Sequence, residues 1–290
     1  MNRQSILISI FMIAATMWCN ASQPVKKKEL NVMTFNIRYD NPDDEMNNWR
    51  FRKERVINAV KFYDADILGA QEVLFSQLND MKSRLPEYEV FGVGREDGIQ
   101  KGEFSPIFYK KRRFELQKSG YFWLSETPEI AGSKGWDGAC ERIATWLILK
   151  DKTSDKKIFV LNTHLDHVGV EARREGVNLI LDKIATYDGK LPVVVTGDFN
   201  ATPVSDVYRN ITDKKSKNFL IDTRTISKLV YGPAWSFHDF GKVPYNERTL
   251  IDYIFVKNGL EVTKYGVLAE SENEEYLSDH TPVFVTLQLK

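Results

Sequence analysis

The sequence predicts an α/β fold organised around one stretch, Leu191-Pro192-Val193-Val194-Val195-Thr196-Gly197-Asp198-Phe199-Asn200. Three observations carry that reading. Short β-branched or alternating apolar runs of strand length recur along the chain. Amphipathic segments of helical period stand between several of them, as at Val177, Ile180, Leu181 and Ile184. The strand-like runs repeatedly end in, or carry, polar residues able to do chemistry, here Asp198 and Asn200 just after Gly197. The 290 residues suffice for one such domain with a sizeable core, and no linker, repeat or low-complexity tract divides them.

The first 21 residues read as a signal peptide. Arg3 supplies the positive start, Ile6 to Met17 the apolar core, and Cys19-Asn20-Ala21 the small residues of a cleavage site. Residues 22–290 then form a single catalytic domain, exported to a periplasm or cell exterior. The apolar run is short for a stable membrane anchor. Lipidation of Cys19 is a lesser alternative, disfavoured by the bulky Trp18 before it. The full chain balances 40 basic against 40 acidic residues, and losing the leader removes Arg3 and no acid. Without a global cationic field, charge does not favour nucleic acid as a partner. The clusters Lys110-Lys111-Arg112-Arg113 and Lys214-Lys215 read as solvated charge. The mature chain keeps one cysteine, Cys140, so it has no internal disulfide and no cysteine zinc cluster. It is expected to be a monomer.

Taken in order, Leu30 to Ile37 reads as a strand carrying Asn36, followed by an acidic loop through Asn48 that holds Pro42. Trp49 opens a helix with Val56, Ile57 and Val60 on one face and Arg50, Arg52, Lys53 and Arg55 elsewhere. Asp66 to Glu72 is a second strand, ending in a carboxylate. Leu78, Met81 and Leu85 mark a helix stopped by Pro86. Tyr88 to Val93, Phe104 to Tyr109 and Phe114 to Phe122 are further strands, the last an edge. Residues 125–139 form a long glycine-containing loop around Trp136. Arg142 to Leu149 and Ile158 to Thr163 pair across a charged turn, and the second leads into His164. Arg173 and Arg174 lie in the first turns of the next helix, where Arg173 is either a phosphate contact or a solvated charge. After the central stretch come Trp235-Ser236-Phe237-His238, a strand over Leu250 to Val256, Ser278-Asp279-His280, and a last strand over Val283 to Leu289. Asp252 lies inside an apolar run and requires a buried partner.

Asn36, Glu72, His164 and Asp198 with Asn200 thus end strand-like runs, Asp252 is carried inside one, and Asp279-His280 precedes the final strand. Hard oxygen donors of this kind suit Mg²⁺ or Mn²⁺. Histidines beside carboxylates suit proton transfer or anion contact. Neither a cysteine nucleophile nor a Gly-x-Ser-x-Gly elbow is present. The set fits attack of water on phosphorus with a metal offsetting charge on the phosphoryl oxygens.

Six landmarks in this order, Thr34-Phe35-Asn36, Gln71-Glu72, Asn162-Thr163-His164, Gly197-Asp198-Phe199-Asn200, Ile251-Asp252-Tyr253-Ile254 and Ser278-Asp279-His280, resemble the endonuclease/exonuclease/phosphatase superfamily, the deoxyribonuclease I-like hydrolases. The resemblance implies a four-layer α/β/β/α sandwich of two mixed sheets flanked by helices. It also implies roles. Glu72, with Asn36 and Asp279, makes a site for one Mg²⁺ or Mn²⁺. Asp198 orients or deprotonates the attacking water, and Asn200 holds phosphate or nucleophile. His280, paired with Asp252, contacts the scissile phosphate, and His164 protonates the leaving oxygen.

One departure from the family pattern is Arg38, which stands where some members carry a second carboxylate. It speaks for one metal and offers a phosphate contact. The loops holding Trp49, Trp136 and Trp235 to His238 resemble a secreted bacterial subgroup. With Arg38 and Arg173, residues Trp49, Trp136 and His238 complete the substrate-binding candidates, Trp49 also reading as a core aromatic. The expected function is an exported metal-dependent phosphoester hydrolase with a phosphodiester or phosphomonoester substrate, a small or lipid-derived one slightly favoured. The alternatives are a nuclease, which requires a basic groove, and a non-catalytic binding module on the same fold.

Overall fold

The structure, a computed structural model, describes residues 29–188, 190–272 and 275–290. The signal peptide expected over residues 1–21, with Cys19, lies outside the described residues. In chain order the elements are β1 (Glu29–Asn36), α1 (Trp49–Phe62), β2 (Ile67–Gln71), α2 (Phe75–Arg84), β3 (Tyr88–Phe91), β4 (Ile107–Lys110), β5 (Phe114–Trp123), β6 (Ile143–Asp151), β7 (Lys157–His164), α3 (Val170–Asp188), β8 (Val193–Asp198), α4 (Asp206–Thr212), β9 (Ile221–Asp222), α5 (Thr223–Ile226), β10 (Leu229–Tyr231), β11 (Asp252–Lys257), β12 (Leu260–Val267), β13 (Ser271–Glu272), β14 (Glu275–Tyr276) and β15 (Val283–Leu289).

Two mixed sheets are built, ordered β10-β12-β15-β1-β2-β4-β3 and β5-β6-β7-β8-β11-β9, and β13 and β14 pair separately. β1 and β2 of the first lie against β7 and β8 of the second. The alternation of side chains along each strand explains the layers. In β1, Leu30 and Val32 join the core between the sheets, whereas Met33 and Phe35 join a second core with Val56, Ile57 and Val60 of α1 and Leu78 and Met81 of α2. On the far side, Val177, Ile180 and Ile184 of α3 and Val207 and Ile211 of α4 cover the second sheet. The result is the helix, sheet, sheet, helix order expected from the sequence.

A polar seam interrupts the apolar inter-sheet core beneath the strand ends. Gln71 donates to Asn162 Oδ1 (2.7 Å) and to Thr34 Oγ1 (3.0 Å). Asn162 in turn donates to the carbonyls of Ala70 (2.7 Å) and Pro106 (3.1 Å), and Thr196 donates to Asn162 Oδ1 (2.9 Å). Satisfied polar groups of this kind fix how two apolar sheets register. Gly69 makes room for the seam, because a Cβ there would overlap Thr196 Oγ1 and Asn162 Oδ1.

The basic cluster departs from its solvated reading. Lys111 and Arg112 are exposed, but Lys110 and Arg113 are buried. Lys110 pairs with Asp64 and Asp66, and Arg113 with Asp66 (2.7 Å) and Asp151 (3.1 Å). Buried charges stay in a core only when partnered, and here the acids of neighbouring turns supply the partners. Among the described residues, no helix is long and apolar enough to cross a membrane.

Candidate active site

Strand register places three of the candidates in one row. His164 ends β7, Asp198 ends β8 beside it in parallel register, and Asp252 opens β11 opposite Asp198. Asn36 ends β1 next to Gln71 of β2, so Glu72 follows immediately beyond the sheet edge. Glu72 (φ 59°), Asn200 (φ 46°) and Arg38 (φ 58°) all adopt the left-handed backbone region. That conformation costs energy in a non-glycine residue and re-aims a side chain that strand alternation would send elsewhere.

These ends line a cleft of about 540 Å³ that takes in Arg38, Glu72, His164, Asp198, Asn200, Asp279 and His280. Asn36 is its hub, donating to Glu72 Oε1 (2.9 Å) and Asp198 Oδ2 (3.0 Å) while its oxygen accepts from the Arg38 N–H (3.0 Å). Through its amide nitrogen Asn36 positions both carboxylates, and its Oδ1, which takes one hydrogen bond, keeps a lone pair with which it could join the metal ligands expected from the sequence. Glu72 Oε2 also accepts from the Tyr39 N–H (3.1 Å).

His280 donates from Nδ1 to Asp252 Oδ2 (2.8 Å), and Ser236 Oγ donates to the same oxygen (2.6 Å). Asp252 thereby has the partner its burial required. Burial opposes charge on His280, but Asp252 and Asp198 outweigh it and hold the imidazole well above its usual range. His164 goes the other way: burial, then Arg142 and Arg95, hold it well below. Asp198 lies between them, 3.4 Å from His164 Nε2 and 3.7 Å from His280 Nε2. Burial first, and the charge of Asp252 second, push Asp198 up to about 7, where a carboxylate is poised as a general base. Asn200 donates its N–H to Asp198 Oδ1 (2.9 Å) and its amide to the Leu165 carbonyl (3.0 Å), and lies 3.1 Å from His164 Nε2. Because an amide nitrogen only donates, His164 Nε2 accepts there and its proton sits on Nδ1.

On the opposite wall, Asp279 takes a hydrogen bond from Ser278 Oγ (3.0 Å) and stands 3.6 Å from Arg38 Nη1. Burial, and repulsion by Glu72, raise its proton affinity. Two carboxylates that repel each other across a cleft, offering hard oxygen and no sulfur, fit a divalent cation of the Mg²⁺ class. Two tighter groupings fit less well. Asp198, Asp252 and His280 lie close enough to share an ion, but the imidazolium already serves as counter-charge. In the group Cys140, Asp166 and His167, the oxygens of Asp166 are committed to the N–H groups of Ala139, Cys140, Val168 and Gly169.

The remaining substrate-binding candidates separate. Arg38 lines the cleft but is forked onto Asp44 (2.9 and 3.1 Å). Arg173 is not at the cleft: it donates to the Asp166 carbonyl (2.8 Å). The anion position at the start of α3 is filled from within the chain, by Asp166 and by Asp137, which accepts from the Glu171 and Ala172 N–H groups. Trp49 is 2% exposed and donates to Asp80 Oδ2 (3.0 Å), a core residue as its alternative reading had it. Trp136 is half-buried, its N–H bonded to Glu126, and it does not line the cleft. His238 is buried behind the wall, where burial and the charges of His280 and Arg248 pull it down to about 3.

The structure adds residues the sequence did not single out. Glu103 lines the cleft, bonded to Arg95 (2.7 Å) and 3.8 Å from His164 Nδ1, its proton affinity raised by burial and by Glu72. It arrives there because Phe104 bridges to Val73 and Gly94. Arg142 donates to His167 Nδ1 (2.9 Å), and both line the cleft. Neither Glu103 nor Arg142 stands at a strand's carboxyl end, the signal that marked Asn36, Glu72, His164 and Asp198.

Comparison with known proteins agrees with this fold. A family model described as the Endonuclease/Exonuclease/phosphatase family matches residues 33–280. A crystal structure of an endonuclease/exonuclease/phosphatase from Bacteroides vulgatus superposes with a TM-score of 0.87 at 45% identity, covering 90% of this chain and 99% of that one. A mannosyl-6-phosphatase of Bacteroides thetaiotaomicron VPI-5482 superposes with a TM-score of 0.83 at 38% identity, covering 89% and 99%. The Ccr4 exoribonuclease subunit of the CCR4-Not complex of Mycosarcoma maydis is 24% identical over 324 residues; the match takes in 87% of this chain but only 47% of that relative.

Proposed function

The chain belongs to the Endonuclease/Exonuclease/phosphatase family, whose members hydrolyse phosphoester bonds, and from that premise we propose that it is an exported, Mg²⁺-dependent phosphatase acting on a phosphorylated sugar. The observation that carries the hydrolase reading is the place of Asp198 in the cleft, 3.4 Å from His164 Nε2 and 3.7 Å from His280 Nε2, between two histidines whose surroundings move their proton affinities in opposite directions. Asp198 takes a proton from water as the water oxygen bonds to phosphorus. The His280 imidazolium, held by Asp252, neutralises charge growing on a phosphoryl oxygen. The bond from phosphorus to the sugar oxygen breaks, and that oxygen takes its proton from His164, which solvent water reprotonates. Glu72 and Asp279 would hold the divalent ion, which supplies further charge neutralisation on the phosphoryl group. Burial, Arg142 and Arg95 lower the proton affinity of His164 in the free site, so its acid role depends on the charge of an incoming phosphate dianion raising it.

The sugar-phosphate preference rests on the 38% identity to a mannosyl-6-phosphatase and on a near-neutral chain whose cluster at residues 110–113 is half committed to buried ion pairs. Export rests on the signal-like start of the sequence. A nuclease reading draws on the Ccr4 likeness. The experiment that separates them is phosphate or nucleotide release from hexose 6-phosphates, an aryl phosphate, an aryl phosphodiester and an oligoribonucleotide, each with Mg²⁺, Mn²⁺ or EDTA. Turnover of the hexose phosphates that EDTA abolishes is expected. Preferential cleavage of the oligoribonucleotide would overturn the substrate assignment.

A further inference from the structure

Arg52 lies on α1, on a helix whose other arginines and lysines reach solvent, yet it is 0% exposed. Among the described residues its guanidinium forms no ion pair at contact distance. The acceptors it reaches are main-chain carbonyls from separate segments: Ile37 (3.0 Å), Leu277 (2.7 Å), Arg38 (3.5 Å) and, through Nε, Asn47. Ile37 directly follows Asn36, and Leu277 directly precedes Ser278-Asp279-His280. The rings of Trp49 and Phe240 close over the guanidinium at 5.8 and 5.3 Å. Phe240 belongs to a run, Asp239, Phe240 and Gly241, that is left-handed throughout, and the His238 and Asp239 N–H groups both bond the Asp279 carbonyl (3.0 and 3.1 Å).

We propose that Arg52 is a positioning residue that sets the separation of the two carboxylate walls of the cleft, joining the Asn36–Arg38 segment beside Glu72 to the Leu277–His280 segment that carries Asp279. Burying a cation among carbonyls is costly, and an apolar side chain would fill the volume at less cost. What an apolar residue cannot supply is a rigid planar fork that reaches several loops at once; a lysine concentrates its donors at one point. The inference rests on the reading of Glu72 and Asp279 as cation ligands, and it assigns Arg52 no contact with substrate.

The test uses the full mature chain with Arg52→Met and Arg52→Lys. Thermal unfolding checks the fold, Mn²⁺ affinity is measured without substrate by electron paramagnetic resonance, and kcat and KM are measured separately. Support around a metal site is worth about 10- to 100-fold in metal affinity or activity. A loss of that size in Mn²⁺ affinity and kcat is expected in Arg52→Met, with KM moving less and Arg52→Lys falling between. A folded Arg52→Met with wild-type Mn²⁺ affinity and kcat would overturn the proposal. Should Arg52→Met not fold, Arg52→Lys decides: wild-type values there overturn it, and lowered affinity with an unchanged melting curve upholds it. Wild-type protein that binds Mn²⁺ but hydrolyses no phosphoester would refute the enzymatic reading and leave this one standing.

Discussion

His280 Nδ1 and Asp252 Oδ2 stand 2.8 Å apart, buried at the floor of the cleft. This bond fixes the tautomer of His280, turns Nε2 toward the cleft and stabilises the charged ring. Asp252→Asn keeps the shape but removes the counter-charge. A fall in kcat on the order of 10²-fold or more is expected, with the fold intact by circular dichroism. An Asn variant with wild-type kcat would mean that the charge on His280 has no part in turnover.

His164 makes a prediction about leaving groups. If it protonates the departing oxygen, His164→Ala costs about 10²- to 10⁴-fold on a sugar phosphate, whose alkoxide is a poor leaving group. The same variant should lose far less on an aryl phosphate, whose phenolate leaves unaided. Comparing kcat for the two substrates checks this, and equal losses would show that His164 only holds Asn200 and Asp198 in place.

The seam beneath the site is a stability element. Asn162→Leu removes four buried hydrogen bonds at once, those from Gln71 Nε2 and Thr196 Oγ1 and those to the Ala70 and Pro106 carbonyls. Each is worth about 0.5–1.5 kcal/mol, although Gln71 keeps Thr34 Oγ1 and the Pro106 carbonyl keeps the Ala70 N–H. Denaturant unfolding should therefore show a loss of several kcal/mol for Asn162→Leu, against a small change for a substitution at exposed Lys214. A midpoint shift no larger than that of the Lys214 control would remove the seam from the account of stability.

Asp166 makes stability depend on pH. Burial opposes its charge, but the N–H groups of Gly169, Val168, Ala139 and Cys140 outweigh burial and hold the carboxyl well below its usual range. A depressed folded value means that the contribution is fully present above the unfolded value of about 4 and is lost as pH falls through it toward the folded value. Asp166→Asn should flatten the dependence of the unfolding midpoint on pH below about 4 and be destabilising at pH 7. Parallel wild-type and variant curves in that acid range would contradict the assignment.

The residues legible in the sequence share one property: strand periodicity alone locates them. Asp198, His164 and Asn36 end apolar runs, so counting along the strand puts them at one edge of the sheets; Asp252, read inside the run from Leu250 to Val256, in fact opens β11. Arg52 was not legible because helical periodicity sorts charged residues outward, and nothing local announces carbonyls from residues 37 and 277 closing over it. Lys110 and Arg113 went unread for the same reason, their acids coming from distant turns. Glu103 depends on a bridge between Phe104 and Val73 that no periodicity encodes. Trp49, read as either stacking surface or core, fell to the core because its indole N–H found Asp80 on α2. The strand β12, with polar residues on one face, carried too weak an apolar run to stand out from the loops around it.

The most direct measurement is phosphate release from a hexose 6-phosphate as a function of Mg²⁺ concentration, for wild type and Glu72→Ala side by side. Wild type should rise to saturation with Mg²⁺ and fall to background in EDTA, and Glu72→Ala should stay near background throughout. A Glu72→Ala curve that follows the wild type, or a wild type indifferent to EDTA, would contradict a metal-dependent phosphatase centred on this cleft.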